Sequence, residues 1–193
     1  MGIVCTMGNR DNGNPIFTLS TRTGYILLPD GNTMFMWGYS EGGKPFQHPS
    51  PVLCVNQGDT VTVVLQNTLN EDVSIIFPGQ ENVLANGVPA QPQFDGSGNV
   101  TSLTNVATAG GGSITYRFVA GNPGTYLYES GTAGQKQVRM GLFGALIVRP
   151  TMRRTLPITE GTASSHPPRS SWCCSPKSIP IYIRRSRPVR IST

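Results

Sequence analysis

"QGDTVTVVLQN", residues 57–67, decides the fold. Val61, Val63, Leu65 and Asn67 alternate with Thr60, Thr62, Val64 and Gln66. An extended chain therefore sends one set to a core and the other to the opposite face. β-branched residues dominate the segment, and the Gly-Asp pair before it supplies a turn, so the stretch reads as a half-buried strand.

The same reading extends in both directions. In "SITYRFVA" (113–120), Ile114, Tyr116, Phe118 and Ala120 share one face and Thr115 and Arg117 the other. "IFTLST" (16–21), "GYILL" (24–28), "TMFMWGYS" (33–40), "PVLCVN" (51–56), "DVSIIF" (72–77), "TYLYES" and "GLFGALIVRP" have strand length and composition. Turn clusters such as "PDGN", "QGD" and "GNPG" separate them, and no segment sustains a 3.6-residue period. The economical architecture is an all-β, Greek-key β-sandwich. Val73, Ile75 and Phe77, with "TYLYES" and "GALIV", are expected in its core. The stretch from Pro78 to about Gly112 is long for a structureless loop, so either a short strand hides in "NVTSLTNV" or the loop packs on a neighbour.

Composition agrees with a turn-rich β protein. The 193 residues include 23 Gly and 16 Pro, and only 13% are charged. The formal charge of +5 is unevenly placed. Residues 1–150 hold seven Lys or Arg against nine Asp or Glu, whereas 151–193 hold eight against one. The body of the chain thus gives no support to a nucleic-acid or anionic-membrane partner; only nonspecific polyanion binding through the tail remains. No apolar run is long enough to span a membrane. The first residues lack a signal-peptide core, although Met1-Gly2 and Thr6 fit a loose acylation pattern with Cys5 nearby.

Cysteines fall at 5, 54, 173 and 174. Cys54, among apolar neighbours, reads as a small buried core residue, and nothing resembles a disulfide framework or a Cys-x-x-Cys metal site. Asn99-Val100-Thr101 is a glycosylation sequon of a kind that is common by chance. "AGGGS" lacks the helix and Lys-Ser/Thr of a phosphate loop and reads as a turn before a strand. Glu129, Lys136 and Arg139 lie on one loop, where a solvated surface with an ion pair is the plainer reading than a catalytic cluster.

The order of motifs carries more than any one of them. A Gly-Asp turn leads a Val/Thr strand ending in Asn, followed by "VSI", "GVP", a Gly-rich turn before "SITYRF", "PGTYLYES", and "MGLFGALIVRP". Over roughly 33–150 this resembles the first cupredoxin (plastocyanin-like) domain of the laccase-like multicopper oxidases. In that family the "VSI" strand runs into His-Trp-His-Gly and the "PGTY" strand ends in Tyr-His-Ser-His. Those histidines contribute to a copper cluster that reduces dioxygen. Imidazole suits copper in both oxidation states, and the His-x-His spacing sends alternate side chains the same way.

This chain departs from the pattern at all four ligand positions. Ile76 and Pro78 stand at the first pair, Glu129 and Gly131 at the second. The only histidines are His48 and His166. Met140 occupies a plausible axial position of a blue-copper loop, but no Cys or His accompanies it there. The expectation is therefore no catalytic, cofactor-binding or metal site in this chain, and no copper, although copper is the family's cofactor.

The resemblance divides the chain into a strand-bearing N-terminal extension (1–32), the cupredoxin-like domain (33–150) and an irregular basic tail (151–193). The tail is either a disordered arm or the product of a shifted reading frame after codon 150, where the family continues into further domains. The leading expectation is a truncated, copper-free structural domain whose partners are sibling cupredoxin domains or identical subunits. Copper-dependent oxidoreductase activity of a larger parent, with copper held elsewhere, is the alternative; a polyanion-binding module acting through the tail is the third. The resemblance implies frequent export, for which this chain carries no visible signal.

Overall fold

In the computed structural model, which describes residues 4–151, the Val61/Val63/Leu65 face is buried in the core of a two-sheet sandwich. Thirteen strands and one short helix follow in the order β1 (Cys5–Thr6), β2 (Asn9–Asp11), β3 (Asn14–Leu27), β4 (Thr33–Glu41), β5 (Val52–Asn56), β6 (Thr60–Gln66), β7 (Leu84–Ala85), β8 (Val88–Pro89), β9 (Gln93–Phe94), β10 (Val100–Ser102), β11 (Ser113–Val119), β12 (Gly124–Glu129), α1 (Gly134–Met140) and β13 (Phe143–Arg149). One sheet runs β1-β5-β13-β12; the other runs β2-β3-β6-β11-β7-β8, with β4 paired to β3. β9 and β10 form a separate hairpin. This is the cupredoxin-like β-sandwich implied by the resemblance. Three pairings are parallel (β1 with β5, β5 with β13, β3 with β6), as crossovers between sheets require.

The two alternating segments pair as a central antiparallel ladder, Ser113 opposite Gln66 through Val119 opposite Thr60. Their inward residues meet Leu53, Val55, Tyr128, Leu146 and Val148 from the other sheet. "IFTLST" and "GYILL" join as one 14-residue strand because Arg22 and Thr23 continue the ladder to β4 without a break. The "PDGN" turn closes that hairpin, with the Leu28 N–H donating to the Asn32 carbonyl at 2.8 Å. Strands from the expected N-terminal extension thus belong to both sheets.

Three sequence expectations need correction. "DVSIIF" is not a strand: it makes only two isolated bridges, Val73 with Ala107 and Ile76 with Glu129. The segment passes between the sheets, with Val73, Ile75 and Phe77 buried, so it has no continuous ladder partner. Side chains take over the backbone pairing that a ladder would give. The Tyr39 hydroxyl donates to the Ser74 carbonyl at 2.8 Å, and the Ile75 N–H donates to the Tyr116 hydroxyl at 3.2 Å. Phe77 then packs against Phe118 and Tyr116 on one side and Tyr128 on the other, with ring centroids 4.8–6.4 Å away.

Cys54 is buried, but it is bonded to Cys5 in a disulfide. Parallel pairing sets Cys5 opposite Val52 and brings the two cysteine Cα atoms to 5.6 Å across a separation of 49 residues. The loop before β13 holds helix α1, too short to show a period. Its C-cap is Gly141 at φ 115°, in the left-handed region that favours glycine.

The long 78–112 stretch contains four short strands, and "NVTSLTNV" does supply one of them, β10. Gly110 and Gly111 form the turn expected of "AGGGS", both at positive φ. Among the described residues no helix is long and apolar enough to cross a membrane. The expectations for the acylation pattern at Met1-Gly2, for His166 and Cys173-Cys174, and for the tail beyond Thr151 lie outside the described residues.

Candidate functional site

Two strand ends set the geometry of the site. The N–H and carbonyl groups of Ile76 and Glu129 exchange hydrogen bonds at 2.8 and 3.2 Å, so these residues face one another and their side chains share one side of the pair. Gly131, two residues beyond Glu129, lies beside them. All three line a cleft of about 530 Å³ whose remaining wall mixes apolar side chains, among them Val100, Leu103 and Val138, with polar ones from Thr101, Ser102, Ser130 and Gln135. Pro78 is separate: with Ile76 and Phe77 it lines a smaller, neighbouring cleft of about 250 Å³, divided from the first by Leu103. The four positions singled out in the sequence thus surround one corner of the sandwich, three in one cleft and one in the next.

Gly131 does not adopt the left-handed backbone that requires glycine. Its role is spatial. A Cβ placed there would lie 2.7 Å from the Ile76 Cγ2, 3.1 Å from the Ser74 Oγ and 3.4 Å from the Leu103 Cβ. Ile76 therefore fills the space into which a side chain at 131 would grow. Behind them, Ser74, Ser102 and Thr132 close a triangle of hydroxyl hydrogen bonds at 2.8, 2.9 and 3.1 Å. Ser130 donates to the buried Gln137 carboxamide at 2.7 Å, and Gln137 donates to the Asp72 carbonyl at 2.9 Å. These contacts tie helix α1 to the crossing segment. None of these polar residues was singled out by sequence, since serines and threonines near a turn give no periodic signal.

The chemistry available is limited. Ile, Pro and Gly side chains carry no donor atom for a metal. Glu129 supplies one carboxylate, which makes no hydrogen bond or ion pair among the described residues. Among those residues no three His, Cys, Asp or Glu side chains gather as a metal group. The one described histidine, His48, lies elsewhere, stacked on Phe46 and edge-on to Phe143, with its Nδ1 close to Gly141. Met140 ends helix α1.

Glu129, Lys136 and Arg139 do not converge. Lys136 pairs with Glu71 and lies 5.2 Å from the centre of the Trp37 ring. Three tyrosines nearby are held neutral: burial pushes the Tyr39, Tyr116 and Tyr128 phenols well above their ordinary range. Tyr128 lies over Gly144, where a Cβ would come within 2.4 Å of its ring, and donates to the Pro51 carbonyl at 2.7 Å.

Comparison with known proteins adds ancestry to this geometry. The profile of a family described as "Multicopper oxidase" matches residues 30–153. The chain is 29% identical over 157 residues to an L-ascorbate oxidase of Cucurbita maxima, covering 81% of this chain and 24% of that protein. It is 31% identical over 134 residues to Laccase-1 of Botryotinia fuckeliana, covering 68% of this chain and 22% of that protein. A solved multicopper oxidase from Campylobacter jejuni, titled a metallo-oxidase, superposes with a TM-score of 0.54 at 27% identity, covering 75% of this chain and 28% of the other. The chain thus spans about a quarter of the length of these relatives.

Proposed function

Because this chain belongs to the multicopper oxidase family, we propose that its described domain is a cupredoxin fold used for packing and not for copper chemistry. The observation that carries this reading is the fit of Ile76 against Gly131, with 2.7 Å between the Ile76 Cγ2 and a Cβ at 131. An imidazole at position 131 would need the space that Ile76 occupies. A multicopper cluster requires several nitrogen donors. Two apolar side chains, one glycine and one carboxylate do not fit it, and no redox step is assigned to these residues. The domain's contribution is then a folded body with a partly apolar corner. Leu103 and Val100 are each more than half exposed there, and the corner suits packing against sibling cupredoxin domains or an identical subunit.

Metal analysis of the purified 193-residue chain, after incubation with copper and removal of excess, tests the proposal. The expected result is well under one copper per chain, with no dioxygen uptake on a phenolic dye. Stoichiometric copper with dioxygen consumption would overturn it.

A second reading has its own support, since the chain spans only about a quarter of its curated relatives. A parent protein of that length would have room for copper ligands outside this chain and would be a copper-dependent oxidoreductase. Copper and oxidase activity found in the parent, and absent from residues 1–193 alone, would favour it without disturbing the reading of this domain.

A further inference from the structure

Glu129 is the one charged residue lining the 530 Å³ cleft. Its backbone is already paired with Ile76, and its carboxylate has no partner among the described residues. Of the neighbouring cations, Lys136 is held by Glu71 and Trp37, and Arg139 forms no ion pair with Glu129. Around the carboxylate stand Ile76, Val100, Leu103 and Val138, with Leu103 57% and Val100 55% exposed. Between them lie the polar side chains of Thr101, Ser102, Ser130 and Gln135. This is a partly apolar surface whose one charge, a carboxylate, has no ion-pair partner among the described residues.

Such a surface discriminates between partners. A purely apolar lid would cover the exposed leucine and valine, but it would also strip water from an unpaired carboxylate, and that penalty opposes the gain from apolar burial. A partner that brings a cation on an aliphatic stem satisfies both demands, because its methylenes cover the apolar wall while its head group meets the carboxylate. We infer that this cleft receives a lysine or arginine side chain of the domain that packs on it, paired with Glu129. The inference rests on the packing role proposed above and names the chemistry of the partner.

The probe is n-hexylammonium, compared with n-hexanol and n-hexanoate, each titrated into the full 193-residue chain by NMR. Hexylammonium is expected to shift signals of Glu129, Ile76 and Leu103 and to bind about fivefold tighter than hexanol, the factor expected of a partly screened ion pair. Hexanoate should bind weakest. The preference should vanish in Glu129→Gln and persist in Glu129→Asp. Equal binding of hexanol and hexylammonium, or a preference that survives Glu129→Gln, overturns the cation pairing while leaving an apolar docking surface intact. Absence of any binding at Leu103 and Ile76 overturns both this inference and the packing role on which it rests.

Discussion

Replacing Gly131 by alanine adds a single methyl group to the folded chain, and the structure fixes where that group must go. It would lie 2.7 Å from the Ile76 Cγ2, whereas carbon atoms in contact normally stand about 3.5–4.0 Å apart. The overlap is therefore close to an ångström. Retreat toward Ser74 is blocked at 3.1 Å by an oxygen already fixed in the Ser74-Ser102-Thr132 triangle. The methyl cannot be absorbed by backbone change either, because Ile76 and Glu129 are locked by reciprocal hydrogen bonds. Overpacking of this kind costs about 1–3 kcal/mol.

If the clash with Ile76 is the cause, Gly131→Ala should cost far less in an Ile76→Ala background, where the opposing Cγ2 is gone. The coupling in a double-mutant cycle should then be about 1–2 kcal/mol. Urea denaturation followed by circular dichroism measures all four stabilities, with the slope of the transition confirming that only stability has changed. Strictly additive costs, within about 0.5 kcal/mol, would refute the claim that Ile76 occupies the side-chain space of position 131.

Three further outcomes are expected. Cys5→Ser, or mild reduction of the disulfide, should lower stability by about 2–4 kcal/mol, because the closed loop is 49 residues long; thiol titration of the native chain with and without reductant checks the bond itself. Asn67→Ala should cost about 3–5 kcal/mol by equilibrium unfolding. Its amide donates to the Glu71, Ala107 and Thr108 carbonyls at 2.7–3.1 Å, and its Oδ1 accepts from the Thr21 hydroxyl and the Leu69 N–H. Stability should also fall as pH rises above about 10, the ordinary tyrosine value. Burial raises the folded-state pKa of Tyr39, Tyr116 and Tyr128, so their contribution is intact below the unfolded value and is lost as pH climbs toward the folded ones. With three groups the slope reaches at most about 4 kcal/mol per pH unit, and the tyrosinate absorbance of these three buried phenols should appear together with unfolding instead of ahead of it.

Half-buried strands were legible because burial of one face imposes a two-residue period: Val61, Val63 and Leu65, and Ile114, Tyr116 and Phe118, are all inward as their alternation required. The crossing segment misled for the opposite reason. Its apolar run matches a buried strand in composition, yet between two isolated bridges its backbone is met by the hydroxyls of Tyr39 and Tyr116, distant in sequence and serving as substitutes for a ladder. The disulfide was hidden for a related reason, since only the parallel pairing of β1 with β5 brings Cys5 to Cys54. At the site, three of the positions taken from motif order, Ile76, Glu129 and Gly131, line one cleft. Nothing in their spacing announced that Pro78 faces a different one, or that three hydroxyls close the space behind them.

The interior and the rim of this corner differ in a way that bears on what the domain can do. Inside, the groups behind the first cleft are partnered, with Ile76 against Gly131, Ser74 with Ser102 and Thr132, and Ser130 with Gln137. The Thr104 hydroxyl and Gln80 carboxamide beside the Pro78 cleft, by contrast, have no hydrogen-bond partner among the described residues. Chelating agents should therefore leave folding unchanged, because the Ile76-Glu129 backbone pair and the Gln137-Asp72 hydrogen bond tie the crossing segment to β12 and α1. At the rim the balance reverses, with Leu103 and Val100 mostly exposed and the Glu129 carboxylate unpaired beside them. With the space behind Ile76 and Gly131 already filled, a partner at the first cleft meets mainly the rim. Surfaces of this kind contribute through a few apolar anchors and one compensated charge, the combination on which the proposed packing role rests.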